Sequence, residues 1–180
     1  TRKEVGLPEK GFVFCCFNQI YKINPNMIDV WSRILNIVGK SIMMIYIDNE
    51  EVKINLTKEF VQRGIDSSRL IFALKLDRPE YMARYRVADL FLDTHPCNAG
   101  TTASDALKMG LPLVTIKGKS INSREAASIV TSLNLPELIT NTLEEYESLA
   151  IELATNPDKL RKIKHKLASN LATAPLYDTK

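Results

Sequence analysis

Between Gly11 and Ile139 short apolar runs alternate with longer amphipathic ones, and this alternation constrains the fold more than any other property of the 180-residue chain. A strand that is apolar throughout must be covered on both faces, and helices that return the chain to a parallel neighbour supply the cover. Phe12–Phe17, Ser41–Ile47, Leu70–Ala73, Leu90–Leu92 and Leu113–Ile116 are read as strands, with a sixth at Glu137–Ile139. The fold class expected is α/β, an open, doubly wound parallel sheet, with a helical extension after it.

The helices between the strands have legible ends. Asn24-Pro25 is an N-cap followed by proline at the first helical position, and this helix should stop near Gly39. Trp31, Ile34, Leu35 and Val38 share one face of it, so Trp31 is assigned to the core rather than to a ligand. A second helix runs from Glu50 to Arg63, with Gly64 as its stop. Asp77 and Glu80 form a capping pair for a short helix toward Val87, and Thr142 with Glu145 forms another for a helix to Ala154. Asn156-Pro157 starts the last one.

Composition narrows the function classes. With 45% hydrophobic residues the chain can bury one sizeable core. Its net charge of +3, 24 basic against 21 acidic residues, is too small and too interspersed to mark a nucleic-acid surface. Cys15, Cys16 and Cys97 are odd in number and two are adjacent, which argues against a disulfide framework and for a reducing compartment. No Cys/His cluster has zinc-ligand spacing, and the longest apolar run is far short of a membrane span. A cytoplasmic location is expected. The start at Thr1 is read as that of a segment excised from a longer chain.

In doubly wound sheets ligands bind at the carboxyl ends of strands, where the strand order reverses. Three segments should emerge there: Asn18–Lys22, Lys75–Arg84 and Asp93–Asp105. The last lies in LFLDTHPCNAGTTASDALKMGLP, residues 90–112, where an apolar run breaks into a small-residue turn and then opens a helix. Gly100, Thr101 and Thr102 place two hydroxyls and unpaired backbone N–H groups at that helix start, a setting for a phosphate. Lys22 is a point charge for a diphosphate, Gln19 offers both donor and acceptor, and Asp105 can accept from ribose hydroxyls. Each signal alone has a commoner meaning, as a solvated charge, a helix cap or a complement to the dipole. Their convergence on one edge is what favours a site.

Two look-alikes are set aside. Gly118-Lys119-Ser120 mimics the end of a phosphate loop, but Leu113 stands where that motif needs glycine. The seven glycines never fall at the spacing of a dinucleotide fingerprint. His95 and His165 lie in no nucleophile motif; His165 is placed on a solvated basic face with Lys162, Lys164 and Lys166, and His95 in a structural role.

Taken together, FNQIYKINP at 17–25, RLIF at 69–72, ADLFLDT at 88–94, CNAGTTASDAL at 97–107 and GLPLVT at 110–115 resemble the C-terminal catalytic lobe of the O-GlcNAc transferase and SPINDLY-like glycosyltransferases. The resemblance runs from Gly6 to Leu176 and rests on the order and spacing of five motifs. It implies the Rossmann-like C-terminal lobe of a GT-B enzyme, with the nucleotide-sugar site in residues 1–155 and a helical extension of the same domain in residues 156–180.

By position the resemblance makes Lys22 the catalytic cation that stabilises the leaving diphosphate, with Gln19 beside it. Thr101 and Thr102 match the phosphate contacts, and Asp105 and Arg78 lie near the ribose. The Leu76 backbone and the Arg84 side chain match uracil-reading positions, and Tyr81 stands where a histidine stacks on uracil. Cys97 and Gly100 lie on the sugar side, Gly100 in place of a histidine of the animal enzymes.

The implied activity is inverting, metal-independent transfer of GlcNAc from UDP-GlcNAc to Ser or Thr of proteins, with no cofactor beyond the donor. The implied partners are a protein acceptor, an N-terminal GT-B lobe and tetratricopeptide repeats, with neither nucleic acid nor membrane. Without that first lobe the segment should catalyse little. Alternatives are transfer of another sugar, such as fucose from GDP-fucose, and a catalytically silent domain of a repeat scaffold.

Overall fold

The computed structural model describes residues 1–177. Six strands, β1 (Val13–Cys16), β2 (Ile42–Tyr46), β3 (Leu70–Ala73), β4 (Leu90–Leu92), β5 (Leu113–Ile116) and β6 (Ile139–Thr140), form one sheet in the order β3-β2-β1-β4-β5-β6. Every pairing is parallel, with Phe14 opposite both Met43 and Leu90 in the centre. β1 and β4 are buried at every residue, as apolar strands covered on both faces must be. The order reverses between these two strands, so their carboxyl ends frame the crevice of a Rossmann-like sheet.

The helices are α1 (Pro25–Ile37), α2 (Glu50–Gln62), α3 (Arg78–Arg84), α4 (Thr101–Lys108), α5 (Glu125–Ser132), α6 (Leu143–Thr155) and α7 (Pro157–Leu171). The contacts place α1 against α2 and α6, and α4 against α5, so right-handed crossovers on either side of the reversal cover opposite faces. Five of the expected strands and six of these helices are where the pattern puts them, β1 and β2 being shorter by one residue at each end. No helix among the described residues is long and apolar enough to cross a membrane.

Element ends match the expected ones in some places and depart from them in others. α1 ends at Ile37 with Val38 as its cap, near Gly39 as expected. True left-handed stops occur at Gly64 (φ +82°) and Gly110 (φ +78°), where Leu111 N–H returns to the Ala106 carbonyl at 3.0 Å. The Thr142 cap is offset: its hydroxyl accepts from Glu145 N at 3.1 Å, but the Glu145 carboxylate reaches Asn141 N rather than Thr142 N. The sixth strand lies at Ile139–Thr140 because Pro136–Leu138 coil into a 3-10 turn. The sequence reading has no counterpart of α5, which starts at Arg124 without any side-chain cap to announce it.

Trp31 is fully buried, as its helical face requires. Its indole N–H donates to the Tyr146 hydroxyl at 3.1 Å, and that hydroxyl donates to the Asp93 carbonyl at 2.9 Å. One hydroxyl thereby ties α1 and α6 to the end of β4. Tyr146→Phe should leave the indole N–H and that carbonyl unpaired and cost about 1–3 kcal/mol. In urea the midpoint should fall with an unchanged slope; a midpoint equal to that of the wild type would refute the role given to this hydroxyl.

Candidate functional site

The site begins with Asp93, the first residue past β4 and 1% exposed. One of its oxygens accepts from Asn18 Nδ2 at 3.1 Å, Thr94 N at 2.8 Å and Ala99 N at 2.8 Å. The other accepts from the Thr115 hydroxyl at 2.7 Å. The carboxylate therefore clamps the end of β1, the end of β5 and both ends of the loop from Thr94 to Ala99. Asn18 Nδ2 also donates to the Thr94 hydroxyl at 2.7 Å, which donates in turn to the Cys97 carbonyl at 2.6 Å. Asn98 closes the loop, its Nδ2 donating to the Thr94 carbonyl at 2.8 Å and its N–H to the Asn122 carbonyl at 2.8 Å.

This loop delivers Gly100 as the N-cap of α4, with no side-chain cap on the helix. The first-turn N–H groups therefore have no side-chain acceptor from the N-cap. Thr101 is exposed and Thr102 half-buried at that end. From the other strand of the crevice, the 3-10 turn Ile20–Lys22 brings the Lys22 ammonium to the Asn98 carbonyl at 2.7 Å. Lys22 thus stands beside the loop that leads into α4, although 76 residues separate it from Asn98 in sequence. Gln19 is exposed at the start of the same turn. Cys97 is partly exposed at the loop tip.

A second cluster lies between α3 and α4. Arg78 grips Asp105 with two bonds of 2.7 Å each, so the two residues assigned to the ribose form one ion-paired unit. The Asp105 carboxylate is 8% exposed and the Arg78 side chain 61%, leaving the guanidinium open to solvent. That guanidinium also lies 5.4 Å from the centre of the Tyr81 ring, whose hydroxyl bonds to that of Tyr85. Burial raises both phenols above their usual range, so they stay neutral.

Arg84 behaves differently from a free reader of a base. It is buried, donates from Nη2 to the Leu74 carbonyl at 2.6 Å, and lies over the Phe17 ring, while Nη1 has no partner. One half of the guanidinium shapes the Leu74–Leu76 segment and the other half remains to be satisfied. Leu76 itself is exposed.

The residues singled out and set aside also have places. Gly118, Lys119 and Ser120 form a closed turn in which Ser120 and Ser123 cap each other, so no phosphate cradle forms there. His95 packs beside Gly118, and its carbonyl accepts from Asn24 Nδ2 at 2.7 Å. His165 is exposed on α7. Among the described residues no three His, Cys, Asp or Glu side chains cluster as a metal requires. Asn18 and Asn98 carry no signal in the sequence, since an Asn in a loop after a strand is an ordinary residue until its neighbours are known.

Burial pushes the Asp93 carboxyl up to about 6 against the pull of its four donors. A carboxyl raised in the folded state favours folding below its unfolded value near 4, and that contribution disappears as pH rises through about 6. The stability difference between the wild type and Asp93→Asn should therefore shift against the wild type from pH 4 to pH 6 in paired urea titrations. Asp93→Ala should cost about 3–5 kcal/mol, because it strands four buried donors. A flat pH difference, or a mild effect of alanine, would contradict the clamp.

The model of glycosyl transferase family 41 matches residues 1–180. The chain is 38% identical over 180 residues to the Caenorhabditis elegans UDP-N-acetylglucosamine--peptide N-acetylglucosaminyltransferase, covering 100% of this chain and 16% of that one. To the probable transferase SEC of Arabidopsis thaliana it is 34% identical, over 99% of this chain and 18% of that one. A Thermobaculum terrenum O-GlcNAc transferase, the mutant K341M, superposes with a TM-score of 0.89 at 29% identity, over 93% of this chain and 33% of that one. The chain thus spans less than a fifth of the curated relatives named here and a third of the solved one. With a family match along its whole length, this chain belongs to glycosyl transferase family 41.

Proposed function

We propose that this lobe binds the nucleotide-sugar donor of a protein O-glycosyltransferase that moves GlcNAc from UDP-GlcNAc to Ser or Thr hydroxyls. The observation that carries the proposal is the meeting of the Lys22 ammonium, 2.7 Å from the Asn98 carbonyl, with the uncapped start of α4 two residues later. A fixed cation and a helix N-terminus at one point fit a diphosphate. The Arg78–Asp105 unit and the Tyr81 ring extend the same edge toward where a ribose and base would lie.

In an inverting transfer the acceptor oxygen bonds to the anomeric carbon as the bond from that carbon to the phosphate oxygen breaks. Negative charge then grows on the departing nucleoside diphosphate. Lys22 and the α4 N–H groups already stand where they can stabilise it, so little reorganisation is needed and no metal is required for this charge. The loop held by Asp93 keeps Gly100 and Thr101 in register with Lys22. Tyr21, Leu74, Leu76 and Ile121 are exposed after β1, β3 and β5 on the same edge, a rim suited to packing against a first GT-B lobe. The acceptor protein, that lobe and the tetratricopeptide repeats belong to this proposal, as does the division into a lobe and a C-terminal extension.

A second reading concerns the sugar. Gly100 offers no side chain where the donor's sugar would lie, which also admits a different donor such as GDP-fucose. Titration calorimetry on the full-length protein separates the readings. UDP should bind better than GDP, and Lys22→Ala should lower turnover with UDP-GlcNAc roughly hundred-fold to thousand-fold, the range for loss of one preorganised charge contact. Tighter binding of GDP would favour the second donor. No binding of either nucleotide, with Lys22→Ala indistinguishable from the wild type, would sink the site assignment altogether.

A further inference from the structure

Glu125 opens α5, and its carboxylate rests directly against the backbone of Gly100. A Cβ placed on Gly100 would lie 2.0 Å from Glu125 Oε1 and 2.6 Å from its carboxyl carbon, so only glycine leaves the carboxylate this position. No basic side chain among the described residues lies within ion-pair distance of it. A free carboxylate thus stands at the N-cap of the helix whose N–H groups are offered to a diphosphate. Like charges repel, so the phosphates are not what it favours. The group that can profit from it is the neutral, hydroxyl-bearing one attached to the outer phosphate, because a carboxylate accepts strong hydrogen bonds from hydroxyls. On its other side Glu125 lines an open groove of about 1140 Å³ with Lys117, Asn122 and Arg124.

We propose, resting on the nucleotide-sugar reading of this edge, that Glu125 recognises the donor's sugar by accepting from its hydroxyls, and that Gly100 is the small residue that admits it. The pair Gly100 and Glu125 is then a specificity device made by two helix starts. Its signature is a contribution to nucleotide-sugar affinity that plain UDP does not share.

Calorimetry with UDP and UDP-GlcNAc on the full-length protein tests this. In Glu125→Gln, UDP-GlcNAc should bind roughly ten- to hundred-fold more weakly, as for a lost hydrogen bond to a charged group, while UDP changes less than about threefold. Gly100→Ala, whose methyl displaces the flexible carboxylate, should weaken UDP-GlcNAc as well. If Glu125→Gln changes both ligands equally, in either direction, the carboxylate acts only through its charge on the phosphates and the proposal is overturned. Full UDP-GlcNAc affinity in Gly100→Ala overturns it as well. If UDP fails to bind the wild type, the donor reading itself falls and takes the sugar assignment with it, an outcome distinct from selective failure of the sugar contact.

Discussion

Everything at the crevice depends on one buried carboxylate. Asp93 gathers donors from the end of β1, from β5 and from the loop that precedes α4, and its backbone carbonyl receives the Tyr146 hydroxyl from α6. A carboxylate in that position is costly to bury and tolerable only because four donors surround it. The same requirement removes freedom from the loop, since Thr94 and Ala99 must both turn their N–H groups inward. The site is therefore held by a polar network within the sheet rather than by packing of the loop on the surface.

The network also explains why Lys22 lies beside the loop that leads to Gly100. β1 and β4 are hydrogen-bonded in the centre of the sheet, yet their chains leave it in different directions because the strand order reverses there. Asn18 joins the two exits, and Lys22 follows one turn later to meet the Asn98 carbonyl. A cation and a helix start face each other across a gap that the topology creates. On the far side the Arg78–Asp105 pair links α3 to α4, so that end of the edge is braced by an ion pair of its own. That pair is half exposed, so its worth lies in orientation more than in stability.

Much of the fold was legible before any coordinates. Strands that are apolar throughout, separated by helices with Asn24, Asp77, Thr142 and Asn156 as caps, leave few arrangements other than a parallel doubly wound sheet. The elements misjudged were those whose signals are weak: α5 lacks a cap side chain, and the sixth strand starts late because Pro136–Leu138 coil into a 3-10 turn. For the site, Lys22, Thr101, Thr102 and Asp105 could be named because charge and hydroxyl groups after strands are chemically conspicuous. Asn18, Asn98 and Glu125 could not, because their importance lies in partners that are 75, 76 and 25 residues away.

From its sequence alone this protein's layered architecture, the edge at which its strands end and its family likeness follow, because periodicity, capping and short motifs are local properties. Tertiary structure alone decided that Asp93 is a clamp, that Arg78 and Asp105 act as a pair, that Arg84 is half committed to the Leu74 carbonyl, and that a carboxylate from α5 fills the place left open by Gly100. Those facts arise where residues distant in the chain share one small volume. Burial and charge there depend on the whole sheet, and no window of sequence contains it.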